Sequence, residues 1–173
     1  MSGGLGDWQW FGHGGVFPGY ISHTGVLPAQ GLTVSIVTNG ADRLAGPWFD
    51  GALRILRGFA ERGAPAKGLK DWCGRWWHMG GAIDLVPMGQ RVLAAVPGQF
   101  DPFLDASELT VETKDGAAIV EASGLASPGE RARLVRDRRG RVREVWLAGT
   151  RLQPERRVTA ELRRRFEPAE QGG

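Results

Sequence analysis

Cysteine is almost absent. Cys73 stands alone, which rules out an intramolecular disulfide and any cysteine metal cluster. Such a thiol reads as a small buried hydrophobe. Long apolar runs are missing too: none approaches the ~20 residues that span a bilayer. No basic segment leads into an apolar one, so no signal peptide is read. The three histidines, His13, His23 and His78, lack metal-ligand spacing. The lysines Lys67, Lys70 and Lys114 follow Ala64, Lys67 and Val111 at the Ser-x-x-Lys spacing, so that nucleophile-base pair is absent. Neither Gly-x-Ser-x-Gly nor Gly-x-x-x-x-Gly-Lys-Ser/Thr occurs. No metal, cofactor or nucleophile is therefore expected in this chain.

What remains is the composition of a soluble globular protein: 173 residues, 42% hydrophobic and 24% charged. As it stands the chain reads as cytoplasmic, with a periplasmic or secreted parent left open. The net charge of +3 is unevenly spread. In residues 1–63, Arg43, Arg54, Arg57 and Arg62 cancel Asp7, Asp42, Asp50 and Glu61. The excess lies beyond residue 63, and the asymmetry suggests two units.

The first unit is read as an antiparallel strand pair and a helix. Residues 1–6 look like loop. Leu32, Val34 and Ile36 alternate with hydroxyl residues up to Asn39-Gly40, which marks a strand. From Pro47, the residues Phe49, Ala52, Leu53, Leu56, Phe59 and Ala60 form one apolar helical face, stopped by Gly63 and Pro65. So few elements bury little apolar surface, and the unit is expected to need more chain. Residues 64–68 form a linker.

Beyond it the rhythm changes to strands at 72–79, 82–87, 91–96, 108–113, 117–122, 131–136, 142–147 and 150–153, separated by turns. The turns include Asp115-Gly116, Arg139-Gly140 and the run from Gly124 to Gly129. This spacing predicts an antiparallel meander closing into a small barrel. The fold class is thus α+β, with segments at 1–63, 69–154 and a basic tail at 155–173. The tail reads as a short helix, a last strand or a weakly ordered end.

The stretch Phe11-Gly12-His13-Gly14-Gly15-Val16-Phe17-Pro18-Gly19-Tyr20-Ile21-Ser22 stands apart. It reads as two strands joined by a glycine-rich bend, with His13 on a cleft edge. Glycine lets a ligand approach the backbone closely, and N–H groups freed by a strand edge can stabilise an oxyanion.

This run, the strand ending Val37-Thr38-Asn39 and the amphipathic helix resemble the C-terminal end of the serine β-lactamase-like family, over roughly residues 5–62. That family includes class C β-lactamases, esterases, D-aminopeptidases and penicillin-binding proteins, and the resemblance implies a bacterial hydrolase forming an acyl-enzyme. His13-Gly14-Gly15 would be its third motif, with His13 facing the cleft and the Val16 N–H forming half of the oxyanion hole. Gly14 replaces a carboxylate-binding hydroxyl, which favours an esterase or another amide or ester hydrolase. The first motif, Ser-x-x-Lys, and the second, Tyr-x-Asn or Tyr-x-Ser, have no counterpart; Tyr20-Ile21-Ser22 has the letters but follows the third. The resemblance therefore implies a fragment, inactive alone, whose partner is a missing upstream catalytic segment and whose substrate is a small ester or amide. Residues 69–154 resemble a lipocalin-like domain appended to some members.

Two other functions are weighed. Trp72, Trp76, Trp77, Phe100, Phe103 and Trp146 could line a pocket for a small apolar ligand, or merely fill the barrel. Arg131, Arg133, Arg136, Arg138, Arg139, Arg141 and Arg143 could meet nucleic acid. Glu130, Asp137 and Glu144 interrupt that run, and a solvated basic surface is preferred, with no nucleic-acid partner.

Overall fold

A computed structural model describes residues 1–40, 44–122 and 126–166. The chain divides into two compact units. Met1–Glu61 with Gly98–Pro102 forms the first; Arg62–Pro97 and the described residues from Phe103 onward form the second.

The first unit is a four-stranded antiparallel sheet of β1 (Ser2–Leu5), β2 (Trp8–Phe17), β3 (Tyr20–Leu27) and β4 (Leu32–Thr38), in that order, with helix α1 (Ala45–Arg62). Alternation decides which side chains meet the helix. Trp8, Trp10, Leu27, Leu32, Val34 and Ile36 lie on one face, around the fully buried Phe49 and Leu53 of α1. Full burial, as at Leu27, Phe49 and Leu53, contributes about 1.5–3 kcal/mol per side chain by leaving water. The opposite face carries Phe11, His13, Ser22, Thr24, Val26, Thr33, Ser35 and Val37.

Two expectations change here. The sheet has four strands rather than a pair: β2, β3 and β4 join one sheet, and residues read as loop add β1, with Ser2 opposite Phe11 and Leu5 opposite Trp8. The glycine run is not a bend either. It lies inside β2, in unbroken register with β3 from Phe11↔Val26 to Phe17↔Tyr20. The chain reverses instead at Pro18-Gly19, where Pro presets φ and Gly19 takes φ 85°, as a type II turn requires.

The second unit is an up-and-down sheet of β5 (Gly74–His78), β6 (Gly81–Met88), β7 (Arg91–Ala95), β8 (Ser107–Val111), β9 (Gly116–Glu121), β10 (Arg131–Arg136), β11 (Val142–Leu147) and β12 (Thr150–Leu152), with helix α2 (Glu155–Phe166). Trp77 of β5 exchanges backbone hydrogen bonds of 2.8 and 2.7 Å with Gln153, just after β12, which nearly closes the sheet into a barrel. The all-β, barrel-like reading stands. The tail, left open between helix, strand and disorder, is helical to Phe166; its last seven positions, like 123–125 in the Gly124–Gly129 turn, lie outside the described residues.

The barrel interior is occupied by its own side chains, among them Trp72, Trp76, Leu109, Ile119, Leu134 and Val145. The six aromatics do not converge on a pocket. Trp146 is on the outer surface with the Arg133 guanidinium 5.0 Å over its ring, and Phe100 belongs to the first unit. Cys73 is exposed rather than buried, with its Sγ 3.0 Å from the Lys70 carbonyl oxygen. Among the described residues no helix is long and apolar enough to cross a membrane.

The segment Gly98–Pro102, inside the 69–154 stretch expected to form the barrel, is part of the first unit. Phe100 meets Trp48 of α1 edge-on at 4.8 Å, and Asp101 pairs with Arg54 at 3.4 Å. A Cβ on Gly51 would collide with the Phe100 carbonyl.

Candidate functional site

The glycines of β2 differ in what surrounds them. A Cβ on Gly12 would run into the backbone carbonyl of Thr24, and one on Gly25, directly opposite, would run into the Phe49 ring. These two glycines let β2, β3 and α1 come together. Gly14 and Gly15 have no such duty. A Cβ on Gly14 would meet only the Ser22 carbonyl oxygen at 3.4 Å and the Met1 sulfur at 3.7 Å, which is ordinary contact. One on Gly15 would meet only the Ser22 hydroxyl, at 2.7 Å, and that side chain can turn away.

The backbone of this segment is directed by strand parity. Gly12 donates to the Met1 carbonyl at 2.9 Å and accepts from the Met1 amine at 3.0 Å, so its polar groups point away from β3. Alternation points those of Gly14 and Val16 the same way. Among the described residues nothing flanks Gly14 or Val16 on that side. Val16 and Phe17 are 83% and 72% exposed.

His13 lies on the sheet face away from α1 and is exposed. Its imidazole has no hydrogen-bond partner among the described residues. It stands in register with Thr24, which stands in register with Ser35, and the two hydroxyls are 2.9 Å apart. The other histidines do different work. His78 Nδ1 accepts the Gly80 N–H at 3.1 Å in a hairpin turn. His23 is wedged between Trp10 (5.2 Å) and Phe49 (4.5 Å), with its buried Nε2 unpartnered. Strand alternation could have placed His23 on the helix side, but only the neighbouring rings reveal its surroundings.

Neither the Thr24–Ser35 hydroxyl pair nor the Cys73 thiol, which meets the Lys70 backbone carbonyl, is hydrogen-bonded to a histidine or lysine side chain. Nor do three or more His, Cys, Asp or Glu side chains gather as a metal site among the described residues. What β2 offers is an exposed imidazole, two glycines without side chains beside Ser22, and outward backbone groups suited to an extended backbone or an oxyanion.

The arginine strands of the barrel are engaged. Arg131 pairs with Glu112, and Arg136 donates to Asp115 (2.6 Å) and Asp71 (2.9 Å). Arg141 pairs with Asp137 at 2.9 Å. The Glu144 side chain, 5% exposed, receives Arg143, Arg151 and Arg157. Its carboxyl is held below its ordinary range, first by the Arg151 hydrogen bond and then by the nearby guanidinium charges, against the opposing effect of burial.

No family model matches the chain, and no curated protein does. Solved structures of SurE with D-Leu (18% identity, TM-score 0.38) and of SurE (20%, 0.37) each cover 88% of the chain. The octameric penicillin-binding protein homologue from Pyrococcus abyssi (21%, 0.35) covers 85%. The chain spans 37%, 36% and 34% of those proteins, about a third of each. Likeness at that level carries no argument. The resemblance to the serine β-lactamase-like family, with its lipocalin-like appendage, therefore falls: neither a family model nor a curated relative supports it. The physical reason lies in the motif itself. Gly12, part of the run that suggested a cleft, is accounted for by packing within the sheet, and the three short residues His13-Gly14-Gly15 are too few to define a family.

Proposed function

We propose that the first unit supplies one wall of a binding site for an extended ester or amide, completed by a polypeptide segment outside this chain that brings the nucleophile. One observation carries the reading. Among the described residues, Gly14 and Gly15 are not required by internal packing, yet they sit where the outward groups of Gly14 and Val16 are unflanked and His13 is unpartnered. Alone, the chain binds but does not turn over. The second unit is an accessory module rather than a ligand carrier, a reading favoured by the buried side chains that fill it.

Calorimetric titration with N-acetylated dipeptide methyl esters tests this reading. The wild-type chain should bind, Gly15→Val should not, and a fluorophosphonate should label neither. Binding indifferent to Gly15→Val, or a covalently labelled serine, would contradict it.

A further inference from the structure

We infer that β4 pairs with β4 of a second copy of this chain, antiparallel and about a two-fold axis at Ser35. Three observations lead there. First, among the described residues β4 has a neighbouring strand on one side only. Carrying parity from Gly12 through β3, the residues of β4 that bond to β3 are Leu32, Val34, Ile36 and Thr38, so Thr33, Ser35 and Val37 turn their N–H and C=O groups outward.

Second, this edge lacks the devices that keep an edge single. From Trp8 to Gly40 the chain contains no Asp, Glu, Lys or Arg, and β4 contains no proline. Edge strands are ordinarily blunted by charge, proline or a bulge. Here β4 runs in unbroken register with β3 and is rich in β-branched residues, with Val37 67% exposed.

Third, the edge is complementary to itself. Pairing Ser35 with Ser35 of the second copy sets Thr33 opposite Val37 and Val37 opposite Thr33. Every outward group of β4 then enters a hydrogen-bonded pair. The intervening positions match as well, with Val34 opposite Ile36 on the helix side. Pairing about a two-fold axis repeats the same surface on both partners, so a charge near the axis meets its own copy. This strand carries none, which fits a second copy better than a charged partner strand.

The test uses the charge that the strand lacks. In the intact chain, light scattering after gel filtration should give twice the chain mass at high concentration. Ser35→Lys and Ser35→Asp should each run as single chains, because the two-fold places like charges together. An equimolar mixture of the two should regain the doubled mass. Circular dichroism establishes that both variants are folded. If either is not, amide exchange on the wild type decides. Thr33, Ser35 and Val37 should be protected when concentrated and lose that protection on dilution. A single-chain mass for the wild type at every concentration overturns the inference. So does a doubled mass that survives Ser35→Lys, or fast exchange at those three amides throughout.

Discussion

At the scale of single residues, the glycines of β2 and β3 separate into those the fold needs and those it does not. Gly12→Ala drives a methyl into the Thr24 carbonyl and should cost about 1–3 kcal/mol, as overpacking does. Gly14→Ala meets ordinary contact and should stay within about 0.5 kcal/mol. Urea denaturation of the two variants checks the contrast; equal losses would remove the distinction on which the site rests. Glu144 gives a pH prediction. Its carboxyl is depressed in the folded state, so its contribution is present above the ordinary glutamate range and is lost as pH falls through the folded value. Glu144→Gln should therefore destabilise the chain near neutral pH by about 1–3 kcal/mol, the worth of a hydrogen bond to a charged group, and the gap should close in acid. A gap constant down to low pH would mean that the carboxylate charge is irrelevant.

At the scale of elements, Gly51 sets two effects against each other. In an isolated helix Gly→Ala gains about 1 kcal/mol. In α1 the added Cβ collides with the Phe100 carbonyl, so Gly51→Ala should release Gly98–Pro102 and lower the melting temperature. A higher melting temperature would show that this segment adds nothing. The elements also show what the sequence made legible. Helix α1 followed from its apolar spacing, and the eight barrel strands from alternation between turn residues, because both signals are local. The β1 strand was invisible: Ser2-Gly3-Gly4-Leu5 has little strand preference and is held by pairing with β2. The attachment of Phe100 and Asp101 to α1 was equally hidden, being decided by partners roughly fifty residues away in sequence. For the site, His13 and its glycines were conspicuous by composition. Which glycines serve packing depended on Phe49 and the Thr24 carbonyl, and no spacing rule encodes those.

At the scale of the whole molecule, each unit has its own core. The barrel interior is filled by Trp72, Trp76 and their aliphatic neighbours, so tryptophan fluorescence should not respond to fatty acids or small apolar amphiphiles. A saturable response would reopen the barrel as a ligand carrier. In the first unit α1 covers one face of the sheet, and among the described residues no neighbouring strand takes the outward backbone groups of Gly14, Val16 and β4. The central claim is that β2 receives an extended ligand where Gly14 and Val16 point outward. The most direct measurement is a site-resolved NMR titration of the 15N-labelled chain with an N-acetylated dipeptide methyl ester. The Gly14 and Val16 amides should shift most and saturate together, while Gly12, already bonded to Met1, stays still. Shifts confined to the barrel, or none on β2, would contradict the claim.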